Sequence, residues 1–152
     1  MFNRLRTYEN MKKLIDLKNI FAKQLPKMPK EYIVKLVFNR YHEAMIILKN
    51  NKKVIGGICF RIFEGQKFAE IVFLAITSQQ QVKGFGTRLM NKFKEEMQKR
   101  GIEFLATFAD NYAIGKQRST GRVSHLSRVL QEVGLLQGDH TSPHGIYCVY
   151  PF

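Results

Sequence analysis

Apolar residues recur along the first third of the chain with helical spacing. In 10–25, Met11, Leu14, Ile15, Ile20, Phe21 and Leu25 share one face of a helix. The stretch 26–29 (Pro-Lys-Met-Pro) interrupts that pattern, and Pro29 suits the first turn of a second helix over 29–42 with Ile33, Leu36 and Val37 inward. The period then changes. Residues 43–50 and 52–63 read as two strands joined by a turn at Asn50-Asn51. Residues 67–77 form a nearly continuous apolar run, the pattern of a central strand buried on both faces. Helical spacing returns after two glycines, with Leu89, Met90, Phe93 and Met97 on one side and Gly101 as the stop. Residues 102–110 read as another buried strand. The order helix, helix, strand, strand, strand, helix, strand defines an α/β domain.

Length and charge sharpen the picture. A chain of 152 residues is expected to fold as one domain around one core. No apolar run reaches membrane-spanning length, and the start has no leader pattern. Two cysteines, Cys59 and Cys148, make neither a metal-binding spacing nor a disulfide framework, which points to a reducing compartment and to no metal. The net charge of +13 favours an anionic partner, either a phosphorylated cofactor or nucleic acid. A solvated basic surface accounts for charge equally well, and no nucleic-acid reader motif accompanies it.

Two features carry candidate chemistry. Glu70 is the single charge within Phe68–Leu74. A carboxylate in such company loses solvation, its pKa is expected to rise, and it is then suited to act as a general base near neutral pH. The alternative is a salt-bridged or edge-exposed glutamate. Downstream, Gln81, Val82, Lys83, Gly84, Phe85, Gly86 and Thr87 form a short glycine loop ahead of a helix. Glycines let backbone N–H groups approach a phosphate closely, and the helix start adds a positive dipole end. The loop lacks both the P-loop ending and the three-glycine dinucleotide fingerprint. By itself it is equally a tight turn.

The stretches 17–38, 54–63, 68–76, 81–94 and 108–115 together resemble the catalytic domain of PCAF-type nuclear histone acetyltransferases, members of the GNAT superfamily that serve SAGA-like coactivator complexes. The match runs nearly without gaps from about Asn10 to Gly115. The resemblance implies the GNAT N-acetyltransferase fold, a mixed central sheet flanked by helices. It implies acetyl-coenzyme A as co-substrate and no metal, with a lysine on a histone H3 tail as acceptor. Partners would be subunits of a SAGA/ADA-like complex, and the location the nucleus, with no membrane association and no need for direct nucleic-acid binding. It assigns Glu70 as general base, Leu74, Ala75 and Ile76 to the pantetheine arm and thioester oxygen, and Gln81 through Thr87 to the pyrophosphate. Transfer is direct, so no nucleophile is needed and Cys59 is read as core.

The chain is therefore divided into an acetyltransferase core, 1–115, and a non-family tail, 116–152. At the start, 1–10 replaces most of the family's first strand, so that edge of the sheet is expected to be incomplete. The aromatic segment due after Gly115, which lines the coenzyme A groove, is missing. Instead, 123–133 reads as a short helix and 146–150 as a final strand. Read one base out of phase in permitted codons, Val129–Thr141 can spell the missing family segment, and Gly115-Lys116 and Ser127-Arg128 admit splice-site sequences. The tail is accordingly read as a retained intron with a frame-shifted end, which sequencing the transcript tests. A catalytically impaired relic of the same fold, lacking the aromatic wall of the groove, is the alternative function.

Overall fold

The computed structural model describes residues 8–109 and 146–151. Two helices, α1 (Tyr8–Gln24) and α2 (Lys30–Val37), lead into strands β1 (Glu43–Lys49), β2 (Lys53–Phe63) and β3 (Phe68–Ile76). A 3-10 segment, Ser78–Lys83, precedes α3 (Phe85–Lys99), followed by β4 (Phe104–Ala109) and β5 (Ile146–Pro151). The five strands are ordered β1-β2-β3-β4-β5, and β3 is central as expected. β1–β2, β2–β3 and β4–β5 are antiparallel, while β3 and β4 are parallel. A parallel neighbour needs a crossover, and α3 supplies it. The sheet is thus mixed. The expected strand over 146–150 is present as β5; the expected helix over 123–133 lies outside the described residues.

Each face of the sheet carries its own core. On one side α3 places Leu89, Phe93 and Met97 against Phe60, Ile71 and Leu105. The Phe60 and Phe93 rings meet edge to face at 4.8 Å between centroids. On the other side, α1 and α2 bring Leu17, Phe21, Ile33 and Val37 onto Cys59, Phe73 and Ala75. The tip of the β1–β2 hairpin turns at Asn50 and Asn51, both at positive φ (51° and 56°), as their position between two strands required. Arg100, just past α3, donates to both carboxylate oxygens of Glu43 at 3.1 and 3.0 Å and ties that helix end to the start of β1.

Three expectations are corrected. Ile15 is 44% exposed, whereas Leu17 is fully buried in its place. The stripe is rotated because α1 sits deep in a notch of β2, where Gly57 has no side chain: a Cβ there would stand 2.8 Å from Leu17 Cδ1. α2 stops at Val37, because the backbone N–H groups of Asn39 and His42 close turns onto Leu36 and Asn39 instead of continuing the helix. The glycine stretch is not a plain loop: Gln81–Lys83 are in the 3-10 segment and α3 already begins at Phe85.

At Gly56, β2 lies close against β3. A Cβ at that position would fall 2.5 Å from the carbonyl oxygen of Ala75 and 2.9 Å from Ile76 Cα. Both contacts are with backbone, so the two strands pack together only because position 56 is bare.

Candidate active site

An irregularity in β3 builds the site. In the β2–β3 ladder Cys59 faces Phe73 and Phe60 faces Ile71, which leaves Val72 as one extra residue. Such a bulge reverses the side-chain alternation beyond it. Before it, Ala69 and Ile71 point to the α3 core. After it, Phe73 and Ala75 point to the α1–α2 core. The parallel ladder with β4 ends at the same place: its register runs from Phe68↔Phe104 to Ile71↔Thr107. Past that point β4 continues with β5 as partner. Val72–Ala75 therefore run alongside β2 with no strand register on their β4 side among the described residues.

Glu70, Leu74, Ala75 and Ile76 lie on β3 around this opening, and Gln81–Thr87 follow β3 in the chain. Glu70, half-buried, faces Ala106 one residue before the β3–β4 register ends. Leu74 is 37% exposed although it lies in the central strand. Ala75 and Ile76 are buried and close β3. The 3-10 segment then carries Gln81–Lys83 to Gly84, whose φ of 71° and open surroundings let the chain turn into α3.

Gly84 is the N-cap of α3 and offers no side-chain cap, and the first turn holds no acidic residue. The first intrahelical bond is donated by Arg88 to the Gly84 carbonyl, at 3.1 Å. The N–H groups of Phe85, Gly86 and Thr87 thus precede the helical ladder and carry its positive dipole end. This donor set fits a diphosphate. The strand edge of Val72–Ala75 fits an extended, amide-bearing arm, because its backbone groups pair as another strand would.

Cys59 lies on the same side of β2 as Glu70's cross-strand partner, and its chemistry is quiet. Burial pushes its thiol up to about 12, and the Glu70 carboxylate adds to the effect. In a Cys148→Ser background, a disulfide reagent at pH 8 is expected to leave Cys59 untouched in folded protein and to titrate it fully in denaturant. Rapid labelling of the folded form would contradict this. The sign also fixes a pH trend. The folded state holds the thiol proton more tightly, so this stabilisation is complete below the ordinary value of 9.0 and is lost as pH rises toward about 12.

A separate cavity of about 770 Å³, lined by Met11, Arg40, His42, Glu43 and Glu64 among others, lies where β1 begins and β2 ends, beside the part of β2 that pairs with the start of β3. It contains none of the residues at the β3–β4 opening. Among the described residues no cluster of His, Cys, Asp or Glu has metal-binding geometry, and no helix is long and apolar enough to cross a membrane.

Comparison with known proteins converges on the same region. Residues 14–114 match the acetyltransferase (GNAT) family. The chain is 54% identical over 108 residues to the histone acetyltransferase GCN5 of Oryza sativa subsp. japonica, covering 70% of this chain and 21% of that protein. It spans between 21% and 26% of the length of the curated relatives it matches. A crystal structure of Tetrahymena GCN5 superposes with a TM-score of 0.79 at 52% identity, covering 95% of this chain and 89% of that one. The catalytic domain of Tetrahymena GCN5 in complex with coenzyme A superposes with a TM-score of 0.68 at 54% identity, over 97% of this chain and 89% of that one.

Proposed function

The chain belongs to the GNAT acetyltransferase family, and from that membership we propose that it is a histone lysine acetyltransferase of the GCN5 type. It transfers an acetyl group from acetyl-coenzyme A to the side-chain amine of a lysine on a histone H3 tail. One observation carries the reading: a half-buried carboxylate, Glu70, stands where the β3–β4 ladder opens. The identity with GCN5 domains supports the choice of acceptor. By the same likeness we place the protein in the nucleus, working with subunits of a SAGA/ADA-like coactivator complex.

When bound, acetyl-coenzyme A supplies the acetyl group as a thioester. The chain supplies position and a proton acceptor. The N–H groups at the start of α3, with Gln81–Lys83 ahead of them, bind the diphosphate. The backbone of Leu74, Ala75 and Ile76 orients the pantetheine arm and holds the thioester oxygen. Glu70 removes a proton from the incoming lysine ammonium, directly or through one water. A lysine of pKa about 10.4 is neutral in only about one molecule in 2,500 at pH 7, a cost of roughly 4.6 kcal/mol. A carboxylate at the mouth of the opening meets that cost locally. Cys59, buried and firmly protonated, takes no part.

A second reading is favoured by the departure of the sequence after Gly115: a domain of this family that binds the co-substrate weakly. Calorimetry separates the two. The first reading expects saturable acetyl-coenzyme A binding in the micromolar range and release of free thiol when an H3-tail peptide is added. Folded protein that gives no binding heat would support the second.

A further inference from the structure

Arg61 stands directly opposite Glu70 in the β2–β3 ladder, and Phe63 stands opposite Phe68. Directly opposed side chains share a face, with Cβ atoms about 4.5–5.5 Å apart. The guanidinium is clamped. Its Cζ lies 4.5 Å from the Phe63 ring centroid and 5.6 Å from that of Tyr41. Phe63 is itself stacked on Phe68 at 4.5 Å with 11° between planes. Tyr41 is held from beyond by Arg40, whose Cζ is 4.7 Å from the ring and whose Nη2 donates to the phenol oxygen at 2.5 Å. Planar guanidinium over rings is a well-defined arrangement for arginine and a poor one for lysine. The charge is felt nearby: His42 is held below its ordinary range, first by burial and then by Arg61.

We propose that Arg61 is a positioning residue for Glu70, its ring-clamped guanidinium fixing a positive charge opposite the carboxylate and so setting the pH range over which Glu70 accepts a proton. The inference rests on the reading of Glu70 as the base. Among the described residues, His42 and Arg40 lie on the Tyr41 side of Arg61. β2 also presents Cys59, a neutral thiol. β4 presents Ala106 and Thr107, which do not titrate. α2 brings Tyr32 edge-on to Phe73 at 6.2 Å, and the exposed Lys67–Glu103 pair lies at the start of β3. α3 packs on the opposite face of the sheet. Among the described residues, Arg61 is a ring-held cation directly opposite Glu70 in register, with Arg40 beyond Tyr41.

The test follows the Glu70 carboxyl by ¹³C NMR titration, assigned with Glu70→Gln, in wild type, Arg61→Met, Arg61→Gln and Arg61→Lys. A neutral residue at 61 is expected to raise the Glu70 midpoint by about one pH unit. Lysine, which keeps the charge, is expected to move it by less than about 0.3 units. Methionine retains an apolar stem against Phe63 and glutamine retains polarity, so either variant that folds by circular dichroism suffices. A midpoint unmoved in the neutral variants, or moved as far by lysine, would overturn the inference. The acidic limb of kcat/KM for acetyl transfer should rise with the midpoint; a limb that stays put while the midpoint moves would overturn the catalytic role. Wild type that transfers no acetyl group while the midpoint still moves would instead discard the proposed function and leave the charge coupling standing.

Discussion

Replacing Glu70 by glutamine is expected to lower kcat for acetylation of an H3-tail peptide at pH 7 by about 10²–10³-fold, with acetyl-coenzyme A affinity changed by less than about twofold. Glutamine keeps the size and shape of the side chain, so the opening at the end of the β3–β4 ladder is preserved. What it loses is the ability to accept a proton. The penalty then approaches the cost of finding a neutral lysine in solution. This gives the deficit a signature in pH. As pH rises toward about 10, a growing fraction of the acceptor amine is already neutral, and the variant should recover toward wild type. A merely structural defect would not recover in this way. Thiol-release assays from pH 6.5 to 10 measure it, and equal turnover of the two proteins at pH 7 would remove Glu70 from the role.

Gly56→Ala is expected to damage the fold and the co-substrate site together. The added methyl would lie 2.5 Å from the Ala75 carbonyl oxygen and 2.9 Å from Ile76 Cα. Neither atom can rotate away, so β3 must shift off β2. Overpacking of this kind costs about 1–3 kcal/mol, which for a domain of this size lowers Tm by roughly 3–12 °C. The displaced residues are the same Ala75 and Ile76 proposed to hold the pantetheine arm, so acetyl-coenzyme A affinity should fall by about tenfold or more, a loss of about 1.4 kcal/mol. Gly65→Ala is the control, because nothing lies within 4 Å of a Cβ there. Thermal melts and calorimetry on the three proteins decide the matter, and a Gly56→Ala protein with wild-type Tm and affinity would show that the strand contact is slack.

Much of this architecture is legible in the pattern of residues. Alternation and helical spacing locate the three described α-helices and the strands but not the two 3-10 segments, and the apolar run of 67–77 identifies the central strand. Glu70 is conspicuous because a single charge interrupts that run. The same continuity hides the bulge. With Ile71, Val72, Phe73 and Leu74 all apolar, nothing in the one-dimensional pattern says that the alternation reverses at Val72 or that the ladder with β4 ends there. Leu17 was missed for Ile15 because the rotation of α1 is set by where β2 lacks a side chain, a property of the partner and not of the helix. Arg61 reads as an ordinary strand residue until register sets it across from Glu70. The roles given to Gln81–Thr87 came from family resemblance; spacing alone left a tight turn equally open. The division at residue 115 and the missing aromatic wall concern a segment outside the described residues.

The bulge at Val72 also bears on how this domain tolerates change in length. Deleting that one residue would set Phe73 directly after Ile71 and leave Phe73 and Ala75 facing the α1–α2 core, so both packed layers would keep their side chains. It would also restore the regular alternation with which β3 and β4 pair. The open cleft, and not the two packed cores, thus hangs on a single inserted position. A β3 shortened at 72 is therefore expected to keep its fold while losing the cleft, so that co-substrate binding and stability separate at this one position.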